Sequence, residues 1–156
     1  MVHFSKKGIE KYRNETIELE GRLRELNSRT QATAETGGDM WHDNPSLYNL
    51  MSEKRSINSM LGRNYEVLRT AQVVDYPSSP QNVCLGCTVV IEDNGNTIKY
   101  HIAGYGESDP NNFVIAYDTP LAKSIINKKP GDSATIEISG KVRLLKVIEV
   151  KPYDNR

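Results

Sequence analysis

At 156 residues, 37% hydrophobic and 26% charged, the chain has the composition of one ordinary globular domain or two small ones. Twenty basic residues balance twenty acidic ones, 11 against 11 in residues 1–75 and 9 against 9 in 76–156, so neither half is the basic surface that grips a phosphate backbone. Apolar runs of only a few residues exclude a spanning helix, which needs roughly 20, and Met1-Val2-His3-Phe4-Ser5 lacks the regions of a signal peptide, so a cytoplasmic protein with no membrane partner is expected.

From Ser5, a natural N-cap, Ile9, Tyr12, Thr16, Leu19, Leu23, Leu26, Thr30 and Thr33 alternate steps of three and four, with charges such as Glu10, Lys11, Glu15 and Arg22 between them. This is a heptad seam on a helix with one dry stripe. Thr36-Gly37-Gly38 stops it, because paired glycines are poor helix formers and good C-caps. A second helix starts at Asn44-Pro45, with Asn as cap and Pro where its missing N–H costs nothing. Leu47, Leu50, Lys54, Ile57, Leu61, Asn64, Leu68 and Ala71 repeat the stepping as far as Gln72-Val73. Two matched seams joined by a short connection predict an antiparallel coiled-coil hairpin, each arm on the order of 40 Å long. Polar Lys54 and Asn64 weaken that seam or fix its register.

The hairpin's tip, residues 36–45, carries Asp39, Met40, Trp41, His42, Asp43 and Asn44, the densest mixture of acids, an aromatic, a histidine and turn formers in the chain. Loop tips on rigid scaffolds are where function concentrates. Such a hairpin is either a structural or dimerising stalk, or a probe that delivers its tip somewhere narrow. Trp41 and His42 either contact a partner or cap the hairpin.

Val74-Asp75-Tyr76-Pro77-Ser78-Ser79-Pro80 has linker composition, which divides the chain into a hairpin over 1–75, a linker over 76–81 and a second domain over 82–156. In the latter, Thr88 to Ile91, a turn at Asp93-Asn94-Gly95-Asn96, and Thr97 to Ala103 form a β-hairpin, for which Asn-Gly is a strong signal. Phe113 to Ala116 is a third strand. Thr119-Pro120 caps a short helix through Ile126, and Ala134 to Ile138, a turn at Ser139-Gly140, and Val142 to Val150 form a second hairpin. The result is an α+β fold, a small antiparallel sheet with one short helix beside the helical hairpin.

Cys84 and Cys87, in Cys-Leu-Gly-Cys, are the only cysteines. A structural zinc needs about four ligands, and His3, His42 and His101 are not spaced as a second half. The pair reads as two reduced thiols leading into a strand, or else as a redox pair or half a metal site. His101 reads as a sheet residue rather than a base. The second domain has no Ser-His-Asp set, phosphate-cradling glycine loop or metal cluster in its sequence, so nothing catalytic stands out in it.

Three segments together resemble the bacterial Gre transcript-cleavage factors, GreA and GreB. They are Ser5-Lys-Lys-Gly-Ile-Glu-Lys-Tyr12, the tip from Gly38-Asp39 through Asn44, and Thr119-Pro-Leu-Ala-Lys-Ser-Ile-Ile-Asn-Lys-Lys-Pro-Gly-Asp132, the last being the most specific. The resemblance implies an FKBP-like C-terminal sheet that docks at the rim of the secondary channel of RNA polymerase, and a monomer that pushes its hairpin toward the active centre. There Asp39 and Asp43, matching the family's tip Asp and Glu, would help hold polymerase's second Mg²⁺ at the 3′ end of the nascent RNA, and Trp41, His42 and Asn44 would be tip contacts. Two metals flanking a scissile phosphate stabilise the attacking and leaving oxygens, and Mg²⁺ accepts one or two carboxylates beside water and phosphate. This tip departs from the family's: Met40-Trp41-His42 separates the acids where the family has two residues, and Asp43 replaces Glu. A Gre homologue that occupies the channel without promoting cleavage is therefore the alternative. A prolyl isomerase and a dimerising scaffold are further rivals.

Overall fold

The computed structural model describes residues 1–36, 45–138 and 140–153. Contacts divide the chain into two compact units, one of Met1–Ile9 with Gln72–Arg156 and one of Glu10–Ala71. Among the described residues no helix is long and apolar enough to cross a membrane.

The helical unit is built on α1 (Lys6–Thr36) and α2 (Pro45–Arg69). Thr16, Leu26, Leu47, Leu50, Ile57 and Leu61 are buried, and Leu19 and Leu23 pack against the Leu26, Leu50, Ile57 and Leu61 cluster, so the heptad stripes are the packed faces. The pairing is antiparallel: Tyr12 and Thr16 of α1 meet Asn64 of α2, whereas Arg22, farther along α1, pairs with Glu53, earlier in α2. Asn64 is the centre of a polar layer in the seam. Its Nδ2 donates to Thr16 Oγ1 at 3.1 Å, the Tyr12 hydroxyl donates to its Oδ1 at 3.0 Å, and the Thr16 hydroxyl donates to the Tyr12 carbonyl at 2.8 Å. A satisfied polar layer holds only when the helices are in one alignment, which gives Asn64 a register role.

In the other unit a five-stranded sheet has the order β5-β4-β3-β7-β6, from β3 (Cys87–Asp93), β4 (Asn96–Ala103), β5 (Val114–Ala116), β6 (Ser133–Ile138) and β7 (Lys141–Pro152). The β3–β4 turn has positive φ at both Asn94 (50°) and Gly95 (81°), the pattern of the tight turn that Asn-Gly favours. The sheet is mixed rather than wholly antiparallel, because β5 pairs parallel to β4 with His101 opposite Val114. Phe113, expected to open β5, has φ of 53° and ends a 3-10 turn over Pro110–Asn112 instead. Helix α3 (Pro120–Ile125) starts as expected: Thr119 Oγ1 accepts from the Ala122 N–H, and Pro120 stands in the first turn. Ala122 and Ile125 join Val89, Ile91, Ile102, Ile136, Leu145 and Val147 in one buried core.

A two-stranded sheet pairs β1 (Val2–Phe4) with β2 (Ala71–Val73), two strands that no sequence pattern predicts. Strand β2 takes the residues that the second seam assigned to helix, and α2 ends at Arg69. The unit boundaries differ from a cut at 75/76 for the same reason. Phe4 is fully buried with its ring edge-on to Tyr105 at 5.6 Å, the Tyr105 N–H donates to the His3 carbonyl at 2.8 Å, and the Val74 N–H donates to the Phe4 carbonyl at 2.9 Å. Residues 1–9 and the stretch read as a linker thus cluster with the sheet.

Candidate functional site

Asp39, Trp41, His42, Asp43 and Asn44 lie outside the described residues. What the structure describes is their support. Helix α1 runs to Thr36 and α2 starts at Pro45, so the chain from 37 to 44 joins one end of an antiparallel pair. Among the described residues, the buried apolar residues nearest that end are Leu26 on α1 and Leu47 and Leu50 on α2, at 2%, 6% and 8% exposure. A hydrogen bond from the Thr30 hydroxyl to the Leu26 carbonyl at 2.7 Å and another from Thr33 to the Arg29 carbonyl at 2.8 Å satisfy the seam threonines within α1. Both threonines thus turn a hydroxyl bond back onto their own helix.

The sheet unit carries a cleft of about 320 Å³ lined by Ser5, Lys6, Lys7, Val74, Asp75, Tyr76, Glu107 and Tyr153. Glu107 organises it. Its Oε1 accepts the Ser5 N–H at 2.9 Å, while Ser5 Oγ accepts the Gly8 N–H at 2.8 Å, so one carboxylate and one hydroxyl satisfy amides where α1 begins. A negative charge there also complements the helix dipole. The carboxylate fits only because Gly104 and Gly8 lack side chains: a Cβ at Gly104 would stand 2.3 Å from Oε1 and one at Gly8 closer still. Lys6 and Asp75 form an exposed ion pair at 2.9 Å across the mouth, which raises the Lys6 pKa through the hydrogen bond and the charge. No sequence signal marked Glu107, whose role depends on a fold-back of the first residues that has no periodicity.

Tyr76 closes the cleft's inner wall, edge-on to Tyr153 at 5.4 Å, and Tyr153 in turn meets His101 edge-on at 4.9 Å. His101 Nδ1 is 2.8 Å from Thr88 Oγ1, which makes it a bonded sheet residue. Burial first, and the Glu107 charge second, push the Tyr76 hydroxyl from 10.0 up to about 12, and burial pushes the Cys87 thiol from 9.0 up to about 12. Both groups are neutral acids, so the unfolded chain releases these protons at lower pH than the native one. The stabilisation is complete below about pH 9 and is lost as pH rises toward 12. Thermal unfolding of the sheet unit is expected to shift downward between about pH 9 and pH 11. Tyr76→Phe should flatten that slope, and an unchanged slope would refute the Tyr76 contribution.

Among the described residues no group of three or more His, Cys, Asp or Glu side chains could hold a metal ion. Cys84 and Cys87 form the remaining chemical pair: the Cys87 N–H donates to the Cys84 carbonyl at 3.3 Å, and the Cys84 N–H donates to Cys87 Sγ at 3.4 Å.

Residues 78–152 match the family model described as the transcription elongation factor GreA/GreB C-terminal region. The chain is 30% identical over 153 residues to a protein of Halorhodospira halophila named transcription elongation factor GreA, covering 93% of this chain and 94% of that one. It is likewise 30% identical over 157 residues to the protein of the same name from Alkalilimnicola ehrlichii, covering 96% and 97%. Among solved structures, GreA factor homolog 1 of Thermus thermophilus aligns with a TM-score of 0.46 at 21% identity over 96% of this chain and 97% of that one.

Proposed function

Because the chain belongs to the GreA/GreB family of transcription elongation factors, we propose that it binds RNA polymerase through the secondary channel and stimulates the polymerase's own Mg²⁺-dependent cleavage of backtracked RNA. In this reading the protein is an accessory factor and acts as a monomer. The observation that carries it is the antiparallel pairing of α1 and α2, which makes the segment holding Asp39 and Asp43 the connection at one end of a long two-helix arm.

Asp39 and Asp43 offer carboxylate oxygens, the donor type Mg²⁺ prefers, and Mg²⁺ keeps room for water and phosphate beside one or two such ligands. When bound, the ion stabilises charge on the attacking and leaving oxygens of a phosphoryl displacement. The chain's own contribution is to position the acids. Trp41, His42 and Asn44 lie among or beside them and are assigned contacts to polymerase or to the RNA 3′ end. The balanced net charge of the chain suits a protein partner better than free nucleic acid.

The test uses stalled, backtracked elongation complexes with labelled RNA and Mg²⁺. Added protein is expected to shorten the transcript from its 3′ end, and Asp39→Ala or Asp43→Ala to slow this by about a hundredfold, the size of effect that loss of positioning produces. Full cleavage by both variants removes the metal-ligand role. Binding with slowed elongation and no cleavage identifies a channel-occupying regulator instead, the reading that the three-residue spacing between the acids favours.

A further inference from the structure

The geometry points to Cys84 and Cys87 as a thiol–disulfide modification site, in which a small-molecule or protein disulfide converts the pair to an intramolecular disulfide across the turn that opens β3. The two cysteines are the first and fourth residues of a tight turn closed by the Cys87 N–H to Cys84 carbonyl bond. Such a turn brings its end α-carbons within about 7 Å, and a disulfide spans roughly 4.4–6.8 Å between α-carbons. The Cys87 sulfur already lies against the Cys84 backbone, whose N–H donates to Cys87 Sγ at 3.4 Å.

The turn is fixed on both sides. Gly86 holds φ at 79°, donates its N–H to the Ile102 carbonyl at 2.8 Å, and lies against the Tyr76 ring so closely that an added Cβ would stand 2.2 Å from it. Closure therefore occurs in a turn that is already held in place.

Exposure is unequal, and that orders the chemistry. Cys84 is half-buried, while Cys87 is fully buried at the head of the central strand. Cys84 loses its proton to solvent and its thiolate attacks the incoming disulfide, forming a mixed disulfide and releasing one thiolate, which takes up a proton. Cys87 then loses its proton, its sulfur attacks Cys84 Sγ, and the second thiol of the reagent leaves with a proton. The reagent's disulfide is reduced to two thiols as the protein's two thiols are oxidised to one disulfide. Burial, which raises the Cys84 pKa and that of Cys87, makes both sulfurs slow nucleophiles and poor leaving groups. The pair thus resists casual oxidation when reduced and resists reopening once closed.

The folded full-length protein is incubated with oxidised glutathione, and free thiols and intact mass are followed over time. Wild-type protein is expected to lose both thiols together with a mass loss of two hydrogens and no retained glutathione, and a dithiol reductant to restore both. Cys87→Ala is expected to hold one glutathione on Cys84, and Cys84→Ser to acquire none while folded. Wild-type protein that keeps both thiols free while folded, although it oxidises in denaturant, would overturn the assignment. So would a stable glutathione adduct on Cys84 with Cys87 still free. The wild-type readout stands without the variants, so a variant that fails to fold does not blur the result.

Discussion

Gly86→Ala is expected to destabilise the sheet unit by about 3 kcal/mol or more, the sum of a left-handed backbone forced on an L side chain and an overpacked contact. Both costs are visible. Gly86 has φ of 79°, and its missing Cβ would lie 2.2 Å from Tyr76 Cδ1, 2.3 Å from Cγ and 2.8 Å from Cβ. The tyrosine cannot simply swing away, since its ring is packed on Tyr153 and its hydroxyl interacts with Ser5 and Glu107. Chemical denaturation followed at β3 and β4 amide signals would read the loss as a lowered midpoint. Combining Gly86→Ala with Tyr76→Ala isolates the ring collision, because the double variant keeps the backbone cost and the 2.8 Å Cβ contact and loses the two ring contacts. A single variant within about 0.5 kcal/mol of wild type would show that neither contact is what it looks like.

Leu145→Ala should cost about 3 kcal/mol, within the range for truncating a core leucine, whereas Leu144→Ala should fall within about 0.5 kcal/mol of wild type, as exposed substitutions do. Adjacent residues of β7 point to opposite faces. Leu145 is fully buried opposite Ala134, while Leu144 is 61% exposed opposite Thr135. Near Ile148 the β3–β7 ladder shifts by one residue, since Val90 pairs with Glu149 but Ile91 with Val147. That bulge leaves Ile148 as the unpaired extra residue and keeps Val147 on the core side. Urea titration of the two leucine variants under one set of conditions checks the contrast, and equal losses would mean that β7 is packed on both faces.

Local chemistry explains which elements were legible in the sequence. Asn94-Gly95 needs only its own backbone preference to define a turn, and Thr119-Pro120 carries its own cap, so both appear in the structure where sequence put them. The helical seams were readable because a repeat over many turns outweighs any single misfit such as Asn64. Strands β1 and β2 were not, for three residues have no period and each finds its partner about 70 positions away. The parallel seating of β5 was likewise hidden, as a run such as Val114-Ile115-Ala116 states its preference for a sheet but not its direction. At the tip, sequence located Asp39 and Asp43 between two seams, and the described residues supply the seams. In the sheet unit it missed Glu107, because a capping carboxylate that arrives from another part of the chain leaves no mark beside the helix it caps.

The bond between the Phe4 carbonyl and the Val74 N–H also constrains the order in which the molecule assembles. Joining those two residues in an open chain closes a loop of about 70 positions, with an entropy cost on the order of 4 kcal/mol from chain length alone. Helix pairing in the intervening segment zips contacts that are progressively closer in sequence toward its far end, and it brings Tyr12 beside Asn64. Once paired, the segment acts as a short strap rather than a long loop. The Phe4–Val74 closure therefore costs less after the helices have paired than before.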